Sequence, residues 1–288
     1  MTIWNLGSIN IDRFYRLPHL PGPGETIGST GFSTGLGGKG ANMSVAAARA
    51  GAHTCHIGAI GSDGLWTRDR LLEYGVDTRF IADVEAATGH AIIAVAEDGE
   101  NQIILHPGAN HAIPQQTIDA ALSTAATGDI CVMQNETTMQ EGTAAKARSL
   151  GLRIAYAAAP FEAEAVRAVL PHLDLLVLNE VEATQLTDAL GTTLMDLRLS
   201  DIVVTKGAEG CLHIAREQET HHPAIKVTPV DTTGAGDTFT GYLLAGLDRG
   251  QPIAQAIRQA TRAAALMVQR EGTADVIPDL KEVQDAQF

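Results

Sequence analysis

The chain has 288 residues, of which 45% are hydrophobic, with a formal net charge of −14 and a pI of about 5.0. That length accommodates one large α/β domain or two small ones, and the apolar fraction supports a sizeable core. The acidic balance excludes a general nucleic-acid or anionic-membrane partner, so a phosphate site has to be built locally from backbone amides and a few cations.

In chain order, strand-length apolar runs are predicted at Ile3–Ile9, Thr54–Ala59, Ile130–Met133, Arg153–Ala157, Leu175–Leu178 and Ile202–Thr205. Helix-length periodic segments are Ala41–Ala50, Leu65–Tyr74, Pro114–Ala125, Glu141–Leu150, Glu162–Leu170, Val181–Leu186, Thr238–Leu247 and Ile253–Gln269. The alternation predicts an α/β fold in a single domain over 1–288, a mostly parallel sheet with helices on both faces. Two regions interrupt it. Residues 12–35 are rich in Pro, Gly, Ser and Thr. Residues 88–105 read as a hairpin: His90–Ala96, a turn at Asp98-Gly99, then Asn101–Leu105. The stretch Ala91–Ala96 is apolar on both faces, whereas a strand with one solvated face alternates. Both faces are therefore expected to be covered, one by substrate and core, the other by a second subunit, or else both within one chain.

Cys55, Cys131 and Cys211 lie far apart with no Cys-x-x-Cys, so neither a disulfide nor structural zinc is expected. The start Met1–Asn5 lacks a basic n-region, and no apolar run approaches the roughly 18 residues of a membrane span. A cytoplasmic protein is the expectation.

Four segments carry chemistry. Asp231-Thr232-Thr233-Gly234-Ala235-Gly236-Asp237-Thr238-Phe239 precedes an apolar-periodic helix predicted to begin near Asp237. Gly234 and Gly236 permit a tight turn, and the helix N-terminus aims free N–H groups into it, a cradle for a transferring phosphate. Asp237 is then either a base for a hydroxyl attacking that phosphate or simply a helix cap. Gly35-Leu36-Gly37-Gly38-Lys39-Gly40 matches Gly-x-Gly-x-x-Gly, but a dinucleotide fingerprint follows the first strand closely, and here an irregular stretch intervenes. Asp63, which would take the ribose, falls in the turn Gly61-Ser62-Asp63-Gly64. A Walker A loop fails at Ser33 and at Gly40, which leaves a glycine turn feeding a helix. Asn179 and Glu182, three apart at a strand-to-helix junction, are a capping pair or ligand-facing neighbours on one face. Thr205–Gly210 reads as a nucleotide-side loop or an ordinary hairpin turn. His221 and His222, adjacent in an extended segment, point opposite ways and are expected as surface-loop residues rather than metal ligands.

The nonapeptide Asp231–Phe239 resembles the C-terminal signature of the ribokinase-like (PfkB) carbohydrate kinases, and Gly37–Asn42 resembles their N-terminal one. Gly7–Asp12, Pro23–Thr26, His106–Asn110, Met133–Glu136, Asn179–Glu182 and Thr205–Gly210 continue the pattern in family order over nearly the whole chain, closest to the ribokinase branch. The resemblance implies a three-layer ribokinase-like fold with a small β lid from about 12–35 and 88–105. It implies ATP-dependent phosphorylation of the primary hydroxyl of a small sugar, D-ribose foremost. Asp237 would be the general base, and the Gly234, Ala235 and Gly236 amides the anion hole. Asn10, Asp12, Gly38, Lys39, Asn42 and Glu136 would join Asp237 in holding the sugar. ATP would meet Asn179, Thr205, Lys206, Gly207, Ala208, Glu209, Gly210, Gly236 and Thr261. Mg²⁺ would be organised by Asn179 and Glu182, and K⁺ held near Asp231, Thr233, Met267, Arg270 and Gly272. A homodimer through the lid is also implied, with no nucleic-acid or membrane partner.

Three positions depart from the family pattern. Ala157-Ala158 stands where Asn-Pro is usual, Gly191–Asp201 is shorter than usual, and Val276 stands where a Ser commonly offers an oxygen to the monovalent cation. The alternatives are a nucleoside kinase, against which the aromatic content of 4% counts, a fructose kinase, a phosphosugar kinase using Arg13 or Arg16, and a binding protein without turnover.

Overall fold

The computed structural model describes residues 1–216 and 218–288. In chain order the strands are β1 (Thr2–Leu6), β2 (Asn10–Leu17), β3 (Gly31–Gly37), β4 (His53–Ile60), β5 (Asp77–Asp83), β6 (Gly89–Ala96), β7 (Asn101–His106), β8 (Ile130–Gln134), β9 (Arg153–Ala157), β10 (Leu175–Asn179), β11 (Asp201–Thr205), β12 (Cys211–Ala215) and β13 (Gln218–His222). The helices are α1 (Lys39–Arg49), α2 (Leu65–Glu73), α3 (Gln115–Leu122), α4 (Gln140–Ser149), α5 (Ala163–Val169), α6 (Glu180–Leu190), α7 (Ala235–Asp248), α8 (Ile253–Met267) and α9 (Leu280–Asp285).

The main sheet is nine-stranded, in the order β13-β12-β11-β10-β9-β8-β1-β4-β5. It is parallel from β5 to β11 and antiparallel at β12 and β13. Because both faces are covered, its central strands are apolar almost throughout, and successive residues feed opposite layers. Ile3, Val132, Ala155, Val177 and Val203 pack toward α1, α7 and α8. Trp4, Leu6, Met133, Tyr156 and Leu178 pack toward the layer of α3, α4, α5 and α6.

A second sheet, in the order β3-β2-β6-β7, stands apart from the first. The 12–35 region, expected to be irregular, supplies β2 and β3. Arg13, Arg16, Ser33 and Thr34 break the apolar alternation that marks a strand, so the pattern hid them. The predicted strand Ile3–Ile9 divides: β1 stops at Leu6, and Asn10 opens β2. The reason is a backbone crossing. A Cβ on Gly40 would lie 2.4 Å from the Gly7 Cα, so the chain turns over the start of α1 there.

Other differences have equally local causes. β5 carried no signal because only Ile81 in it is buried, and β13 is a polar edge strand. His221 and His222 lie on that strand rather than in a loop, with His222 buried and His221 exposed. α7 begins at Ala235 rather than near Asp237, because Gly234 (φ 76°) supplies the left-handed residue that starts it. All three cysteines are free and buried. Among the described residues, no helix is long and apolar enough to cross a membrane.

The small sheet is covered unevenly. Ala91 and Ile93 of β6 are buried, whereas Ile92 and Ala94 are only half-buried. Ile103, Ile104 and Leu105 of β7 are exposed by 53%, 66% and 55%. Strand register puts Arg13, Tyr15, Ile92 and Ile104 on one face and Asp12, Phe14, Ile93 and Ile103 on the other.

α1 and α7 cross at a glycine. A Cβ at Gly241 would come within 2.5 Å of the Ala46 Cβ and 2.6 Å of the Met43 carbonyl oxygen. Gly241→Ala must push the helices apart and is expected to destabilise the protein by about 1–3 kcal/mol. Gly142→Ala in α4, where an added Cβ meets nothing within 4 Å, should instead be neutral or stabilising by up to about 1 kcal/mol. Urea unfolding of the two variants measures both, and equal effects would remove the close-packing account.

Candidate active site

The loop before α7 is held by a short aspartate turn. The Thr233 amide donates to Asp231 Oδ1 at 2.8 Å, and the Gly272 amide donates to Asp231 Oδ2 at 3.2 Å. The Ala235 amide is drawn back to the Thr232 carbonyl at 3.2 Å, and Thr238 donates to the Gly234 carbonyl at 2.8 Å. The Gly236 and Asp237 amides find no protein acceptor among the described residues, as expected in a first helical turn. An added Cβ at Gly236 would point into open space. The Gly236 amide is thus left open at the turn, whereas that of Ala235 is engaged.

Asp237 is not the helix cap. Gly234 takes the N-cap position, and no side chain caps α7. Asp237 lies in the first turn, 7% exposed, and accepts a hydrogen bond of 2.9 Å from Asn42 Nδ2 on α1. Burial raises its carboxyl pKa above the ordinary carboxylate range, opposed by the Lys39 charge and the Asn42 hydrogen bond. Lys39 is held above its usual range, first by Asp237 and further by Glu136, Glu182 and Asp12, against its own desolvation. One half-buried cation thus sits among carboxylates from β2, α6, α7 and the loop after β8.

The sugar-side residues converge on the same place. Gly37 makes room for Asp12, since a Cβ there would fall 2.0 Å from Asp12 Oδ2. Burial, with Glu136 and Asp237 nearby, pushes the Asp12 carboxyl up to about 7. Gly38 (φ 94°) opens α1 and faces the Ser8 carbonyl. Glu136 accepts from the Ser8 hydroxyl and, at 3.1 Å, from the Lys39 amide. Asn42 Oδ1 is buried with no partner among the described residues, although its amide nitrogen is engaged. A ligand hydroxyl would satisfy it.

Two residues of this site escaped the sequence reading. Asn110 donates to Asn10 Oδ1 at 2.8 Å and accepts from the Ile9 amide at 2.9 Å, which leaves the Asn10 NH₂ as the outward donor. Ser8 links Glu136 to the Gly40 amide, which reaches the Ser8 hydroxyl at 3.2 Å. Both lie inside quoted motifs, His106–Asn110 and Gly7–Asp12, but nothing in the spacing says which motif members touch one another.

Beside Asp237 runs a cleft of about 210 Å³, walled by Lys39, Asn179, Glu182, Thr205, Gly234 and Gly236 among others. Asn179 and Glu182 do form a capping box: each side chain accepts the other's amide at 2.8 Å. They nevertheless also face the cleft, and burial raises the Glu182 pKa. Lys206 pairs with Glu180 at 3.0 Å, Gly207–Glu209 form a 3₁₀ turn, and Gly210 (φ 104°) packs under the His222 carbonyl. Thr261 sits on α8, donating to the Ile257 carbonyl at 2.9 Å, and is not part of the cleft wall. Ala157 lines the cleft with a methyl group where the family pattern has an amide.

The five residues suggested for K⁺ occupy the loop before α7, the end of α8 and the loop after it. Val230 and Asp231 donate to the Val268 carbonyl, Arg270 donates to the Met267 carbonyl at 2.9 Å, and Asp231 binds the Gly272 amide. Val276 packs against Gly272, and the Arg270 guanidinium donates to the Val276 carbonyl at 3.3 Å. Among the described residues, no three His, Cys, Asp or Glu side chains group as a metal cage.

The pfkB family carbohydrate kinase profile matches residues 3–280. The chain is 32% identical over 296 residues to a ribokinase of Haemophilus influenzae, spanning 98% of this chain and 96% of that protein. It is 30% identical over 300 residues to a deoxyribokinase of Salmonella typhi, spanning 99% and 98%. The solved structure of Arabidopsis thaliana ribokinase complexed with ribose and ATP matches with a TM-score of 0.85 at 27% identity, covering 98% of this chain and 96% of that one. With a ribokinase-like fold and a match over nearly its full length, the chain belongs to the pfkB family of carbohydrate kinases and is a phosphotransferase acting on a sugar hydroxyl.

Proposed function

We propose that the protein transfers the γ-phosphoryl group of ATP to the primary hydroxyl of a small free sugar, D-ribose foremost, giving ribose 5-phosphate and ADP. The observation that carries this reading is the 2.9 Å hydrogen bond that Asn42 Nδ2 donates to Asp237, with Asn42 Oδ1 left open. It joins a polyhydroxyl pocket to a carboxylate at the mouth of an anion cradle. The hydroxyl oxygen attacks phosphorus, its proton passes to Asp237, and the phosphorus–oxygen bond to ADP breaks. The Gly236 amide, with those of Gly234 and Ala235 and the Asp237 amide beside them, holds the charge on the transferring group. Lys39 neutralises the ground-state charge of Asp237. Asn10, Asp12 and Glu136 orient the sugar from the side of β2 and β8.

The nucleotide lies along Asn179, Thr205 to Gly210 and α8, where Thr261 stands. Mg²⁺ suits a cleft with few protein carboxylates, because it keeps waters and binds phosphate oxygens; Glu182 and Asn179 would order that shell. When bound, it supplies charge neutralisation between phosphates. K⁺ belongs with the Asp231, Thr233, Met267, Arg270 and Gly272 loops, where Val276 contributes no side-chain oxygen. The small sheet acts as a lid, since water excluded from the site cannot compete as acceptor. ATP as substrate and unpaired buried cysteines suit a cytoplasmic enzyme. A phosphosugar substrate is disfavoured: Arg16 pairs with Glu271, and strand register turns Arg13 to the face opposite Asp12.

Asp237→Asn should bind ribose normally and lose about 10²–10⁴ in kcat, the span of a general base. Steady-state assays on ribose, deoxyribose, fructose, fructose 6-phosphate and adenosine should give ribose the highest kcat/KM. Each lost hydroxyl strands a buried partner at about 1–3 kcal/mol, so deoxyribose should lag. Preference for adenosine or fructose 6-phosphate would overturn the substrate but not the family.

Asp12 generates a pH dependence. Its carboxyl titrates near 7 when folded against an ordinary 3.8, so its contribution to stability is full below about 4 and is lost as pH rises through 7. Ionised Asp12 accepts two hydroxyl hydrogen bonds, so sugar affinity should instead rise through that range. Asp12→Asn should flatten both trends in thermal unfolding and calorimetric titration.

The exposed apolar face of the lid, with Ile104 beside Ile92, is proposed to meet a second copy of the chain in a symmetric dimer. Sedimentation should show a dimer for the parent and a monomer for Ile104→Glu; a monomeric parent would exclude the contact.

A further inference from the structure

Beneath the sugar pocket lies a set of buried polar side chains that the proposed chemistry does not use. Asn5 on β1, Ser44 on α1, His56 on β4 and Gln134 on β8 are each 0% exposed, in layers otherwise filled by aliphatic residues. Their hydrogen bonds form one chain with a fixed direction. The Gly7 carbonyl only accepts, so the His56 Nε2 at 3.0 Å donates to it. Burial lowers the His56 pKa to about 4, so the ring is neutral and Nδ1 accepts, at 2.8 Å, the Ser44 hydroxyl proton. The Ser44 oxygen then takes one Asn5 Nδ2 hydrogen at 2.8 Å, while the other goes to the Gly40 carbonyl at 2.8 Å. Asn5 Oδ1 in turn accepts from Gln134 Nε2 at 2.8 Å.

The two carbonyls gripped from below are those of Gly7 and Gly40, the pair whose backbones touch where β1 leaves the main sheet. Directly above them, Ser8 bonds Glu136, and the Ser8 carbonyl takes the Ala41 amide at 2.8 Å. Gly38 and Lys39 precede Gly40. Aliphatic side chains would fill this space at lower desolvation cost, so the gain from polar ones is directional: they set where the two glycine peptides sit.

We propose that His56, relayed through Ser44, Asn5 and Gln134, is a positioning residue that holds the Gly7–Gly40 crossing and thereby the Ser8, Lys39 and Glu136 end of the sugar pocket. The inference rests on the sugar-kinase reading. His56→Phe removes the donor and acceptor while keeping a ring. It should raise the sugar KM and the calorimetric sugar Kd about tenfold or more, leaving kcat and the ATP KM within about threefold. His56→Gln, whose amide both donates and accepts, should recover most of the loss. Should His56→Phe fail to fold, Ser44→Ala carries the same expectation in milder form. Sugar KM and Kd unchanged per folded molecule, with only a lower unfolding midpoint, would overturn the positioning role. Failure of the unmutated enzyme on every sugar would overturn the functional reading instead. In that event ¹⁵N shifts of His56 still test the network: a neutral Nε2–H ring between about pH 5 and 8 upholds it, and a ring titrating in that range refutes it.

Discussion

A carboxylate buried at the start of a helix is the constraint on which the rest of this molecule depends. Taking Asp237 out of water costs several kcal/mol unless a donor or a cation compensates. Its compensation comes from Asn42 and Lys39, both near the N-terminus of α1 and about two hundred residues away in sequence. The two helices must therefore lie close and in fixed register. Gly241 permits this by accepting the backbone of α1 against α7. The same crossing brings the N-termini of α1 and α7 together, where their free amides offset part of the charge of the surrounding carboxylates.

The parallel sheet supplies the remaining walls at its carboxyl edge, where open α/β sheets place their ligands. Gly7 follows β1, Glu136 follows β8, Ala157 ends β9, Asn179 ends β10 and Thr205 ends β11. The second sheet grows from the same edge, because β2 follows β1 after only three residues. Asp12 is thereby carried over the pocket by β2, whose opposite face holds Arg13 and Tyr15, both half-buried.

Departures from the family pattern fall outside the cluster of Asp12, Asn42, Glu136 and Asp237. Ala157 leaves one cleft wall without a polar group, the stretch from 191 to 201 holds only a 3₁₀ turn, and Val276 packs on Gly272. The layer beneath Gly7 and Gly40 is polar, with Asn5, Ser44, His56 and Gln134 fully buried.

The alternation of short apolar runs with periodic segments was enough to read the parallel sheet and both helical layers, because burial on two faces leaves an unmistakable composition. Motif order was enough to read the family, because the glycines of Gly37–Asn42 and Asp231–Phe239 are fixed by close approaches and turn geometry at the starts of α1 and α7. Local pattern failed where polarity and structure part company: β2 and β3 are strands with polar faces, β13 is a hydrophilic edge, and β5 buries one side chain. Only tertiary structure decided that Asp237 is not a cap, since that turned on Gly234 adopting the left-handed conformation. Only it could show that Asn110 fixes the Asn10 amide, or that Asn5, Ser44, His56 and Gln134 form one hydrogen-bonded chain. Such contacts join positions up to about 130 residues apart. Their directions are set by which donor each acceptor meets in space, which no spacing along the chain encodes.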